Sequence, residues 1–156
     1  MTAAELRAVL DAESGWRGSR DASWVIEHAD PYAESPLESL GRLAFIEHCL
    51  PAPASNAWID TAAGRYRVDH LLADRWLAFE RDGSLEYDNR PDAGRVVADQ
   101  RECEWKLREA GLEVVRYGWE LARHDRKQLA ERFAAVIERC PVRQEPFPWW
   151  RPRLLV

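Results

Sequence analysis

The sequence predicts an α/β fold: a mixed sheet of about four strands flanked by helices. Three observations carry this. Three short segments rich in aromatic and β-branched residues follow one another between tight turns, a charged helical pattern separates them from a fourth such segment, and a strong helix start precedes the set. The order reads helix, strand, strand, strand, helix, strand, helix. The fourth strand must return to the sheet after a helical crossover, which favours a mixed sheet with helices on its faces.

Each element has its own signal. TAAELRAVLDA opens the chain, with Leu6, Val9 and Leu10 at helical spacing. After Gly15 to Gly18 a second short helix carries Trp24, Val25 and Ala29 on its apolar side, and residues 1–32 read as a helical appendage or a domain fragment. Ser35 then stands as an N-cap, Pro36 at the first helical position and Glu38 at N3, the pattern of a capping box. Leu37, Leu40, Leu43, Ala44 and Ile46 form the stripe of this helix as far as Cys49, and the prolines of LPAPAS end it. Strands are expected over Asn56–Asp60, Arg65–Leu72 and Arg75–Asp82, with TAAG and ADR turns between them and Gly83 at the end, which suits an antiparallel meander. From Arg95 to Ala110 a helix is expected, with Val96, Val97, Cys103 and Leu107 as its apolar positions and Gly111 as its terminator. Leu112–Trp119 is the fourth strand. Asp125 caps a last helix that turns Leu129, Phe133, Val136 and Ile137 inward, and Pro141 ends it. Residues 33–140 thus form the domain and 141–156 a Pro/Trp-rich tail, PVRQEPFPWWRPRLLV.

Composition narrows the function classes. The chain has 156 residues, enough for one domain with a core, and a net charge of −5. That balance lacks the domain-wide basic field of a protein that grips nucleic acid by bulk charge. The charge is uneven, however: residues 1–64 carry 4 basic and 10 acidic side chains, and residues 116–156 carry 9 basic and 5 acidic. All but Lys106 and Lys127 of the 22 basic residues are Arg. Cys49, Cys103 and Cys140 are odd in number and far apart, which argues against a disulfide framework or a zinc site. The start is acidic and without a long apolar core, and no stretch approaches the roughly 18 apolar residues of a membrane span. A cytoplasmic protein with no membrane partner is expected.

The informative segment for chemistry is RVDH, at positions 67–70, followed by AFERDG, at positions 78–83. Alternation puts Ala78, Glu80 and Asp82 on one face of their strand and Leu77, Phe79 and Arg81 on the other. On the preceding strand Asp69 shares a face with Arg67 and Leu71, so Asp69 falls near Glu80 or Asp82. Carboxylates converging at strand ends suit a hard divalent cation. Magnesium is commonly held by one or two carboxylates with waters and substrate phosphate, where it polarises a phosphodiester. The alternative is a solvated turn, because an E-x-D before Gly often only caps a strand end.

The order ESPLES, LPAP, RVDH, FERDG and then a charged helix into GLEVVRYGW resembles the very-short-patch-repair-like endonuclease domains of the PD-(D/E)XK restriction-endonuclease-like superfamily. Such domains are common in actinobacteria, often C-terminal to an antitoxin-like winged helix, and the resemblance covers about residues 33–139. It implies a restriction-endonuclease-like α-β-β-β-α-β core, DNA as partner and magnesium or manganese as cofactor. Asp69 and Glu80 would be metal ligands and catalytic residues, Asp82 an assisting ligand or base, and Glu38 the helix acid aimed at the site. Arg67, Arg101 and Arg116 are the nucleic-acid-binding candidates. The chain departs from the pattern at His70, Arg81, Glu86 and Trp105, and Asp82 stands at the superfamily's E-x-K lysine position, as is usual in this branch. The expected function is metal-dependent hydrolysis of DNA phosphodiesters. The alternative is an inactive module of the same fold with a regulatory or binding role, in a toxin–antitoxin or phage-defence setting. Trp149, Trp150, Arg151 and Arg153 leave room for a protein partner at the C-terminal tail.

Overall fold

The computed structural model describes residues 2–82 and 93–153, without the side chains of 93–100. The positions expected at Gly83, Glu86, Val96 and Val97 therefore lie outside what is described. The elements are α1 (Ala3–Ala12), α2 (Ser19–His28), α3 (Pro36–Glu47), β1 (Ala54–Thr61), β2 (Gly64–Leu72), β3 (Leu77–Arg81), α4 (Ala93–Glu109), β4 (Glu113–Tyr117), α5 (Trp119–His124) and α6 (Arg126–Arg139). The strands form one four-stranded sheet in the order β1-β2-β3-β4. The first three run antiparallel to their neighbours, and β4 lies parallel to β3 after the α4 crossover. The protein is thus α/β, with a mixed four-stranded sheet flanked by helices, as the sequence predicts.

The differences from that expectation have local causes. β3 begins at Leu77, because Ala73–Arg75 wind into a 3-10 turn and Trp76 takes a left-handed backbone at φ 52°. β4 stops at Tyr117, because Gly118 is the N-cap of the extra helix α5.

The chain divides into two compact units, one of residues 1–31 with the last residues from Pro152, the other of Tyr32–Arg151. In the first, Thr2 and Glu5 close a reciprocal capping box at the start of α1. Neither α1 nor α2 buries a residue, and Trp16 is 70% exposed. The second unit holds the sheet, and it includes the segment after Pro141 as far as Arg151. Phe147 is buried, and Trp150 exchanges main-chain hydrogen bonds with Trp58 on the edge strand β1. The two indoles stack at 5.7 Å, and Trp150 Nε1 donates to Asp60. This cover blunts a sheet edge that would otherwise offer unpaired main-chain groups.

Each sheet face has its own core. Leu77 and Phe79 face α3, α5 and α6, where Phe45, Phe79 and Phe133 meet with centroids 4.5–5.1 Å apart. Ala78 faces the other way and packs with Leu71, Val114, Leu107 of α4 and Phe147. The alternation read along this strand is therefore the one observed. Buried Gly41 of α3 lets that helix close on the sheet, since a Cβ there would run into the ring and hydroxyl of Tyr117.

That contact decides a sign. Alanine is favoured over glycine in a helix by about 1 kcal/mol, yet overpacking a filled core costs about 1–3 kcal/mol. Gly41→Ala is expected to lower the stability by about 1 kcal/mol in urea unfolding. A stabilised variant would mean that Tyr117 steps aside.

Candidate active site

The site lies where the sheet forks. β2 and β3 pair through Leu72–Leu77, Leu71–Ala78 and His70–Phe79. Past that last pair, side chains replace the ladder. Asp69 Oδ2 accepts the main-chain N–H of Arg81 at 2.7 Å, and Glu80 Oε1 accepts the main-chain N–H of Asp69 at 3.2 Å. β3 meanwhile keeps its register with β4 out to Arg81–Tyr117, and Asp82 N–H continues it onto the Tyr117 carbonyl. The pairing on the other side of β2 is interrupted too. The β1–β2 ladder runs Ser55–His70, then Ala57–Val68, and skips Asn56 and Asp69. Asn56 sits there with a left-handed backbone at φ 47°, a conformation asparagine tolerates better than most residues. Two carboxylates are thereby brought together on adjacent strands, as expected for Asp69 and Glu80.

Glu38 comes to the same place from the first turn of α3 and is buried. Its backbone N–H takes the Ser35 cap as expected, but the reciprocal half of the capping box is replaced. Glu38 Oε2 accepts from the Glu34 N–H at 2.9 Å and from Asn56 Nδ2 at 2.7 Å. Oε1 accepts from the Ser35 hydroxyl at 2.8 Å and lies 3.2 Å from Arg81 Nε. Both oxygens are thus engaged, which fits an anchor for the site better than a metal ligand. Asp69 Oδ1 and Glu80 Oε2, by contrast, carry no hydrogen bond among the described residues.

The arginines divide around this cluster. Arg81 goes to Glu38, and Arg67 pairs with Glu34 at 2.7 Å while lying over the Trp58 ring. Arg116 stands 3.6 Å from both Asp82 and Glu104 and donates to the Arg81 carbonyl. Asp82 is at the rim, its side chain 45% exposed. Arg101 is exposed on α4. A small pocket of about 80 Å³ opens beside Glu80, lined by Arg81, Arg116, Cys103 and Glu104 among others. Among the described residues, no three His, Cys, Asp or Glu side chains converge in a way that could hold a metal ion.

Electrostatics set the two carboxylates apart from Glu38. Burial raises Asp69 to about 6; the Arg81 N–H bond opposes this and the Glu38 charge adds to it. Burial and the Asp69 charge push Glu80 well above the ordinary carboxylate range. For Glu38 burial acts in the same direction, but the bonds from Glu34, Ser35 and Asn56 with the Arg81 charge outweigh it, and its carboxyl is held low. The sequence reading missed Asn56 and Tyr117 as parts of this site. An asparagine inside a strand pattern was the available signal for the first. For the second there was none, because the Tyr117 hydroxyl reaches back 47 positions to His70 Nε2, at 3.0 Å, and also meets the Leu37 carbonyl. His70 is accordingly buried within the sheet unit.

Two uncharacterized proteins of Mycobacterium tuberculosis, from strains CDC 1551 / Oshkosh and ATCC 25618 / H37Rv, are each 32% identical to this chain over 138 residues. The match takes in 87% of this chain and 49% of each relative, so the chain spans about half the length of the curated relatives it matches. No family model matches the chain. No solved structure matches it either.

A raised carboxyl gives a pH signature. An unfolded Asp titrates near 4, so with Asp69 at about 6 the native state binds more protons between those values. Its contribution to stability therefore falls as pH rises through that window. Lowering the pH from 7 to 5 is expected to stabilise the protein by about 1 kcal/mol in urea unfolding. Asp69→Asn should flatten this dependence. An unaltered profile in the variant would remove Asp69 as its source.

Proposed function

We propose that this chain is a metal-dependent phosphodiester hydrolase of the restriction-endonuclease-like type, acting on DNA. One observation carries the reading. Asp69 and Glu80 form a partly buried pair of acids, each raised by burial and Glu80 further by the Asp69 charge, and each keeps one oxygen clear of hydrogen bonds among the described residues. Two carboxylates with one open oxygen apiece fit the magnesium mode, in which waters and a substrate phosphate complete the shell. Asp69 Oδ1 and Glu80 Oε2 would hold the ion. Bound there, magnesium or manganese would polarise the phosphodiester and stabilise the leaving oxygen.

The remaining groups have supporting parts in this reading. Glu38 lies 3.2 Å from Arg81 and fixes Asn56, while the charges of Arg81, Arg67 and Arg116 offset only part of what burial does to the pair. Asp82 and Arg116 stand at the exposed side, where Arg116 meets a phosphate and Asp82 accepts a proton. Arg67 and Arg101 would add contacts to the DNA backbone in this reading. The resemblance of RVDH and FERDG to very-short-patch-repair-like domains supports the same assignment. Three free cysteines suit a reducing, cytoplasmic setting.

A second reading has its own observation. Asp82, at the superfamily's lysine position, is held by Arg116 rather than left for catalysis. An inactive module that binds DNA or a regulatory partner would keep such a site, and Trp149, 38% exposed with Arg151 against its ring, offers a protein partner a foothold.

Cleavage of plasmid and mismatched duplex DNA, at low salt with magnesium and then manganese, separates the readings when paired with calorimetric titration of manganese alone. The hydrolase should cut, and Asp69→Ala and Glu80→Ala should each slow it by at least about a hundredfold. Manganese binding by the wild type without cleavage would select the inactive module. Neither binding nor cleavage by folded protein would sink the metal site itself.

A further inference from the structure

At the opposite ends of β3 and β4 the molecule has a larger concavity, of about 370 Å³. It opens where Trp76 leads into β3, Glu113 begins β4 and α6 ends, about 10 Å along the strand from Glu80. Four of its lining residues are arginines, Arg75, Arg108, Arg139 and Arg143, against the single carboxylate of Glu113. In a chain with a net charge of −5, such a grouping is not what an even spread of charge would give.

The four differ in what already holds them. Arg75 Nη1 donates to the Ile137 and Cys140 carbonyls at the end of α6, and its Nε is buried without a partner. It is a fixed positive wall that also satisfies a helix C-terminus. Arg108 pairs with Glu104 at 3.0 Å and donates to the Val114 carbonyl. Arg143 lies 4.2 Å from the centre of the Trp76 ring, which aligns its guanidinium along the wall. Among the described residues, neither Arg139 nor Arg143 meets a carboxylate. Trp76 forms the floor, donating through Nε1 to the Glu145 carbonyl, and Gly111, at φ 95°, faces the indole, where a Cβ would come within 3.0 Å of the ring.

We propose that this pocket binds a small phosphate-bearing anion. Guanidinium groups offer planar pairs of donors that match phosphate oxygens, and a concave arginine cluster with an aromatic wall holds such a group away from competing water. Concavity favours a compact anion over an extended polymer, whose backbone contacts lie on open surface. The proposal does not depend on the metal site, which uses other residues at the other end of the strands.

The test is calorimetric titration of the full chain with sodium pyrophosphate, with sodium chloride holding the ionic strength constant. The wild type should bind, and Arg139→Gln/Arg143→Gln should bind at least about tenfold more weakly. Arg132→Gln, an exposed change elsewhere on α6, should bind as the wild type does, and circular dichroism of all three should be native. Arg108→Gln gives a second, separate weakening should the double variant not fold. Duplex DNA in a parallel anisotropy titration distinguishes the sources of phosphate. No pyrophosphate binding by the wild type, or equal binding by the folded variants, overturns the proposal. So does a defect confined to DNA, which would make these arginines a backbone contact.

Discussion

Beyond the His70–Phe79 pair, β2 and β3 are joined by carboxylates instead of by the main-chain ladder. A buried N–H must have an acceptor, and two of them, on Asp69 and Arg81, find theirs on Glu80 and Asp69. The arrangement is reciprocal, so the two acids cannot move apart without orphaning a main-chain donor. It is also electrostatically costly, because it brings two acids together in partly buried surroundings. The main-chain bonds fix the positions, and the repulsion leaves the pair in want of a positive charge or a proton. The skipped pair on the β1 side and the left-handed Asn56 let β2 shift direction at the same point. The shift also explains why Val68 packs with Ala57 and Ile59 on one face while His70 turns to Phe45 and Tyr117 on the other.

Much of the fold was legible in the sequence, since it rests on local and periodic signals. Ser35 and Pro36 start α3, and the alternation of Leu77, Ala78 and Phe79 assigns the two faces of β3. Strand order and turn length put Asp69 near Glu80 or Asp82, and the structure brings it to Glu80. Glu38 could not be resolved in this way, because a capping acid and a site acid look identical in sequence. The structure makes it both: Glu34 and Ser35 use it at the helix end, and Asn56 and Arg81 use it from the sheet. What stayed hidden were long-range couplings, such as His70 with Tyr117 and Arg75 with the end of α6. No period or spacing encodes them. The arginine pocket belongs to this class, since its members come from three separate stretches of chain, 75–76, 108–113 and 139–143.

Arginine use ties the two ends of the sheet together. A lysine could neutralise a carboxylate, but it could not hold several fixed acceptors at once. Arg75 donates to two carbonyls, and Arg126 pairs with Glu47 through two parallel bonds of 2.9 Å, joining α6 to α3. Arg116 similarly spans Asp82, Glu104 and the Arg81 carbonyl. These residues act as struts between the elements they join.

Three means could relieve that pair: a proton, an arginine or a metal ion. A proton suffices only toward the acid side of neutrality, given Asp69 at about 6. An arginine is within reach, yet Arg81 lies against Glu38, whose carboxyl is held low by three hydrogen-bond donors and the Arg81 charge. Glu38 in this light engages the nearest guanidinium among the described residues, and under the proposed reading a divalent cation would supply the charge that the two open oxygens lack.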